Sequence, residues 1–480
     1  MSNSSQDIRS PQEPHPGSPI QGAQPPESRA RVYALFALVT IGAALGNLSQ
    51  TGLNAMLPAV MADFGLGVDV GQWLTTGYML VLGVAVPIAT FLMRRLDSRS
   101  YALLCFGMFG IGALIDWVAP EFASMLVGRV LQAVAVGLTI PKMQTISMTK
   151  FPPGQQATAM GIAGIALGFA PTIGPTVGGA LDYAFGWRSF FLVLFVISAL
   201  LFVLTFPLVK KGVSADHSAK FETVSFIFST IGFGGVLLGL SLASSYGLAS
   251  VWVWAPIAVG VVFLVLLARR QSVIDQPLMD LRIFKSRVFN AGLLASVFLF
   301  ACYMGVTLVI PLFVVDAMGG TSLDAGLIIL PTTFTALLVN PISGILSDRV
   351  SPRFVALVFG TFLLVGSVAS VTATEDMPYW LLSVYQTLRG IGVSGLVGPL
   401  LTYALSGLKG PLIPHGSSAS VVIRQVAATF GTAIMVFCIA AVTPFATSGA
   451  VSISAPYQVA FGFSALMAVL CMGVIVLRVK

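Results

Sequence analysis

Three arginines stand where an arginine is most costly. Arg129, Arg389 and Arg424 fall inside long apolar runs of a 480-residue chain. A guanidinium in a bilayer core marks a transport pathway, a coupling site or a ligand anchor, unless backbone carbonyls hold it as a structural group. Gln132 follows Arg129 one turn on. Arg424 is about two turns from the end of its run, close enough to snorkel in part. Acids to answer these cations are scarce. Asp116 and Asp316 each lie near the end of an apolar run. Either is a candidate proton carrier, although a solvated interface position is the plainer reading.

A second group is polar and uncharged. Asn47, Gln50 and Asn54 follow the i, i+3, i+7 spacing and share one helical face. At membrane depth such a face lines a cavity or bonds to a neighbouring helix, and both readings stand. Enzyme chemistry has no support. Cys105, Cys302, Cys438 and Cys471 lie singly in apolar runs, and His15, His217 and His415 are scattered. Neither a metal centre nor a cofactor is expected, and no nucleophile motif or phosphate loop is present.

The elements that must hold these residues follow from composition. The chain is 56% hydrophobic and 9% charged, against about 25% charged in soluble domains. Apolar runs of spanning length recur from residue 32 onward, so this is an all-α polytopic membrane protein; a membrane barrel would show short alternating segments. Residues 1–30, rich in Pro, Ser and Gln, cannot bury a core and read as a disordered tail without a signal-peptide apolar region.

Spans are expected near 33–59, 71–93, 101–118, 122–146, 156–181, 189–209, 222–243, 251–269, 288–315, 323–346, 354–372, 377–402, 417–441 and 457–478, fourteen in all. Alternate loops collect Lys and Arg (Arg94, Arg95, Lys150, Arg269, Arg270, Lys285, Lys409) while the others collect Asp63, Glu121, Asp182, Asp324 and Glu375, with Arg188 the exception. The positive-inside rule then places both termini in the cytoplasm of a cell-membrane protein. The +7 net charge follows this loop pattern, so nucleic acid is not an expected partner.

The order of motifs repeats. "FLMRRLDSR" (91–99) and "GILSDRVSPR" (344–353) are basic turns one helix pair into each half, and "VGRVLQ" (127–132) and "TLRGIG" (387–392) each put an arginine inside the membrane. Two six-helix bundles are expected at 31–210 and 276–480, with two inserted helices at 211–275. Parallel repeats of this kind are a transporter architecture. One span is built thin: Gly161, Gly164, Gly168, Gly174 and Gly178 leave one face bare, and Pro171, Pro175 and Gly179 weaken the helix. The bare face is either a close-packed seam or a hinge between the bundles.

Taken together, "QTGLNAMLP" (50–58), "QWLTTGYML" (72–80), "GRVLQA" (128–133), "GIAGIALGFAPTIGPTVGG" (161–179), "WRSFF" (187–191) and "IPHGSSASVVIRQVAATFGTA" (413–433) resemble the fourteen-helix drug:proton antiporters of the major facilitator superfamily, the EmrB/QacA type, and most of all its lincomycin-resistance group. The resemblance covers about residues 33–440. It implies a major facilitator fold and export of small amphipathic substrates against protons by a monomer in membrane lipid. It implies that Arg129 and Gln132 take part in proton coupling and that 161–179 is an antiporter motif. Substrate would lie between the bundles, with Asn47, Gln50, Asn54, Trp73, Tyr78, Met143, Tyr303 and Tyr385 as candidate lining residues.

The superfamily gate pairs an Asp with arginines near a glycine. Gly344, Asp348, Arg349 and Arg353 fit it; in the first half Arg94 takes the Asp position, leaving Asp97 and Arg99 as stand-ins. Relatives carry an acid before the Gln-Thr pair of the first helix, where this chain has Ser49. That loss favours neutral or anionic substrates over cationic ones, and Ser49→Asp is expected to improve cation export. A single-metabolite exporter, a facilitated uniporter and a sensor that binds without flux remain alternatives.

Overall fold

The computed structural model describes residues 29–210, 221–247, 250–274 and 277–479. The expected tail at 1–30 lies outside them except for its last two residues. Among the described residues there are fourteen long helices: α1 (Arg29–Phe64), α2 (Trp73–Arg95), α3 (Ser98–Val118), α4 (Phe122–Thr149), α5 (Gln156–Phe185), α6 (Arg188–Leu208), α7 (Thr223–Tyr246), α8 (Val251–Gln271), α9 (Arg287–Leu312), α10 (Ser322–Arg349), α11 (Pro352–Val371), α12 (Tyr379–Ser406), α13 (Leu412–Thr447) and α14 (Ala455–Arg478). No strand occurs among the described residues.

Local chemistry sets several ends. Thr321 and Asp324 form a capping box at α10, and Ser351 caps α11 with Pro352 in its first turn. Each satisfies N–H groups that a helix start leaves bare. Gly186 ends α5 at φ +80°, a conformation that side-chain-bearing residues rarely adopt. The helix runs unbroken through Pro171 and Pro175.

Helices α1–α6 pack as one bundle and α9–α14 as a second. The inserted pair, α7 and α8, packs on itself, and α7 also lies against α2 of the first bundle and α13 of the second. Arg270 of α8 pairs with Glu222 at the start of α7 at 2.7 Å. The outer faces are greasy: Val196, Leu200 and Val203 of α6 and Val259, Val262 and Val265 of α8 are all exposed. A soluble protein does not expose apolar faces of this extent, and lipid satisfies them.

Arg188, the one basic residue at the acidic end, is accounted for by a local pair. It donates to Asp63 at 2.6 Å and to the Ala119 carbonyl at 3.1 Å, and it stacks on Trp187 with 4.2 Å to the ring centroid.

Candidate functional site

The four helices α1–α4 converge on Arg129, which is 1% exposed. Its Nη1 donates to Ser49 Oγ at 2.6 Å and to Gln132 Oε1 at 3.1 Å, and its Nε donates to the Leu74 carbonyl at 3.2 Å. The Tyr78 ring lies under the guanidinium, 4.1 Å away, and the Tyr78 hydroxyl donates to the Gly46 carbonyl at 3.0 Å. Ser49 Oγ in turn donates to Gln132 Oε1 at 2.6 Å. Gln132 Nε2 completes the chain by donating to Asp116 Oδ2 at 2.7 Å. Asp116, Gln132 and Ser49 are each 0% exposed. The guanidinium is thus enclosed by protein, which accepts from its Nε and Nη1, and a lone carboxylate shares its network.

This geometry corrects three readings. Asp116 is no solvated interface residue: it is fully buried against Gln132 and Gly128 of α4 although it is near the end of α3. Tyr78 and Met143 do not line an open pocket, being 1% and 0% exposed; Tyr78 spends both its ring and its hydroxyl on the network. Ser49 faces Arg129, so an acid placed there would meet the guanidinium before any cationic substrate.

The other proposed pocket residues remain open. Asn54 and Trp73 are exposed, and Asn47, Gln50, Tyr303 and Tyr385 are half-buried. Asp316 is exposed in a π-helical turn after α9 and accepts from the Tyr457 hydroxyl at 3.0 Å.

The walls of the network depend on missing side chains. A Cβ on Gly128 would strike Asp116 Oδ1 and come within 2.6 Å of the Gly112 carbonyl. We expect Gly128→Ala to destabilise the protein by about 1–3 kcal/mol, as overpacking does. A thermal unfolding midpoint in detergent equal to that of the wild type would refute this packing.

The second bundle holds a matching set. Arg389 Nε donates to Gln386 Oε1 at 3.0 Å, and Gln386 Nε2 donates to Ser370 Oγ at 3.1 Å. Asp116 and Ser370 sit near the same end of their helices, each receiving a glutamine amide from the next helix. Arg389 Nη1 and Arg129 Nη2 are buried without an acceptor. Sequence reasoning missed Gln386 and Ser370; the three-residue spacing of Gln and Arg in both halves was the available signal.

Arg424 does not snorkel. It is 7% exposed, donates to the Ser420 carbonyl at 3.1 Å and lies 4.9 Å from the Phe300 ring centroid. Gln144 of α4, its amide oriented to suit its neighbours, accepts from Arg424 Nη2 at 2.9 Å and donates to the Ser417 carbonyl at 3.3 Å. That contact joins the two bundles.

Further junctions between the bundles gather at the end bearing the basic loops. Asp348 accepts from the N–H groups of Ala157 at 3.1 Å and Thr158 at 2.6 Å. The carboxylate caps the start of α5, where bare donors and the helix dipole favour an anion. Arg349 and Arg353 stand exposed, so the expected arginine pairing gives way to a helix cap. Asp97 is buried before α3, and Arg99 lies 4.8 Å from the Phe206 ring centroid. Thr90 donates to the Leu278 carbonyl at 2.7 Å; within the second bundle, Asp280 N–H donates to His415 Nδ1 at 3.3 Å. Burial opposes charge on Asp280, but hydrogen bonds from Arg282 outweigh it and hold the carboxyl below its ordinary value.

The bare face of α5 is divided. Its first part meets α10 of the other bundle: a Cβ on Gly161 would come within 2.5 Å of the Asn340 carbonyl, and one on Gly164 within 2.5 Å of Asn340 Oδ1. Gly168 is farther from Asn340, at 3.6 Å from Nδ2. Its second part meets α1 of the same bundle: Gly174 faces Thr51, and Gly178 faces Gly52. Pro175 is exposed, while Pro171 and Gly179 are half-buried.

Residues 39–432 match the family described as the Major Facilitator Superfamily. The chain is 34% identical over 403 residues to the uncharacterized MFS-type transporter YhcA of Bacillus subtilis (strain 168), covering 84% of this chain and 75% of that protein. It is 31% identical over 416 residues to the lincomycin resistance protein LmrB of Listeria innocua, covering 85% of this chain and 86% of that one. Among solved structures, the proton:xylose symporter XylE bound to 6-bromo-6-deoxy-D-glucose superposes with a TM-score of 0.66 at 12% identity, covering 93% of this chain and 95% of that chain; this likeness is one of fold.

Proposed function

The chain belongs to the major facilitator superfamily, and on that premise we propose that it exports small amphipathic compounds across the cell membrane in exchange for protons. The observation that carries this reading is the sealed chain from Ser49 through Arg129 and Gln132 to Asp116. A buried charged network that ties four helices together is an arrangement whose bonds a proton can change. The lincomycin resistance protein among its relatives supports outward transport of a small amphipathic substrate.

The loop charges support a cytoplasmic position for the basic end and for both termini. On that orientation the Asp348 cap, the Asn340 seam and the Gln144–Arg424 contact all close the cytoplasmic side. Asn54 and Trp73, toward the opposite end, stay open. The arrangement is then the outward-facing state of an alternating-access cycle.

Charge inside the spans bears on substrate class. Among the described residues, Arg129, Lys142, Arg389 and Arg424 are buried there, against Asp116. A cationic interior favours neutral or anionic amphiphiles. The test uses inverted vesicles with an acid interior and a panel of anionic, neutral and quaternary ammonium amphiphiles. Concentrative uptake with alkalinisation of the lumen is expected. Uptake of the anionic and neutral compounds should exceed that of the cations by roughly tenfold, the worth of one charge-assisted contact. Equilibration indifferent to the gradient would overturn the proton exchange, and equal uptake of the dyes would overturn the charge preference.

A further inference from the structure

We infer that Asp116 is the group that carries the exchanged proton, that Gln132 passes its charge state to Arg129 and Ser49, and that the matching set in the second bundle does not titrate. The inference rests on the export reading and deepens it.

The two bundles make the argument by comparison. In the second, the glutamine amide ends on the Ser370 hydroxyl, which stays neutral at any physiological pH. In the first it ends on a carboxylate. Both sets hold a buried arginine one turn away on the glutamine's own helix. The fold therefore tolerates the arginine without a carboxylate, and Asp116 is not required merely to neutralise it. What the carboxylate adds is a second charge state.

The surroundings leave that state to a few groups. α4 presents Arg129, α2 presents Tyr78, and α6 begins with Arg188, which is taken by Asp63 and the Ala119 carbonyl. Asp116 Oδ2 receives Gln132, while Oδ1 is buried with no partner. Oδ1 is the oxygen free to take a proton.

With the carboxylate ionised, Gln132 Nε2 donates to Oδ2, and the amide carbonyl gathers donors from Arg129 and Ser49. Such hydrogen bonds strengthen one another in a dry site. They tie α1, α3 and α4 together, and Arg129 adds α2 through the Leu74 carbonyl. A proton on Oδ1 removes the negative charge that orients the amide and frees α1 to move against α4. The proton enters from the acidic end, near which Asp116 lies, and leaves when the cycle exposes the other side.

The test compares wild-type, Asp116→Asn and Ser49→Asp/Asp116→Asn proteins in proteoliposomes. One assay reads substrate-for-substrate exchange, which needs no net proton movement. The other reads accumulation driven by a pH gradient. We expect Asp116→Asn to keep exchange and to lose accumulation by roughly tenfold or more, within the usual span of coupling factors. Difference infrared spectra on acidification should show a protonated carboxylic acid in the wild type that is missing in Asp116→Asn. Accumulation by Asp116→Asn at the wild-type level would overturn the inference. If that variant loses both activities, the double variant decides, because it returns a carboxylate to Arg129: restored accumulation supports the inference and continued loss overturns it. A wild-type protein that neither exchanges nor accumulates any compound sinks the export reading instead.

Discussion

On the export reading, Arg129→Lys is expected to abolish gradient-driven export while the protein still folds and reaches the membrane. Lysine keeps the positive charge and loses the fork. In the wild type one planar group reaches Ser49, Gln132 and the Leu74 carbonyl in three directions and covers the Tyr78 ring. An ammonium is a compact point charge and cannot reproduce that set. Losing two charge-assisted hydrogen bonds at about 1.5–3 kcal/mol each should lower transport by at least about a hundredfold. Alanine is the poorer test, because stripping the charge from a buried pair costs about 3–5 kcal/mol and threatens the fold itself. Uptake into inverted vesicles, normalised to the amount of protein, is the measurement. A lysine variant that keeps half the wild-type rate would show that charge alone suffices and that the network geometry is incidental.

How much of this could be read from the sequence depends on the residue. The fourteen helices were legible because loop charge alternates along the chain, and an odd count would have reversed the pattern partway. Their ends were less so: α1 runs Arg29–Phe64 and α13 Leu412–Thr447, both longer than their apolar runs, since a helix continues in water once a bilayer has paid its nucleation. Arg129 declared itself by the cost of burying it. Asp116 did not, because position along a helix gives depth but not which neighbours wrap it; Gln132, 16 residues on, is what draws it inward. Ser49 stood out as a missing acid, yet its contact with Arg129 spans 80 residues and no local pattern announces it. The glycine spacing of α5 gave a bare face and could not say that Gly161 meets one bundle while Gly178 meets the other.

Gly344→Val should stop the cycle from the far side of the molecule. Gly344 lies against the backbone of α5, where an added Cβ would strike the Ala157 carbonyl and come within 3.0 Å of its carbon and 3.1 Å of Thr158 Cα. Those atoms are main chain, so no side chain can swing aside. The same residues donate to Asp348, and a helix pushed outward loses that cap as well as the packing. Overpacking of this kind costs about 1–3 kcal/mol. On the export reading the cost falls on the closed arrangement alone, because the seam would part as the cytoplasmic side opens. A bias of that size shifts the balance between the two arrangements roughly 5–150-fold. Export should fall accordingly, with substrate still bound from the cytoplasmic side. Ser347, 6% exposed in the closed seam, offers the readout. Ser347→Cys in an otherwise wild-type seam should resist a membrane-impermeant maleimide added from the cytoplasmic face, and should react readily once Gly344→Val is present. Equal labelling in both backgrounds, with export intact, would mean that the α5–α10 contact is not the gate.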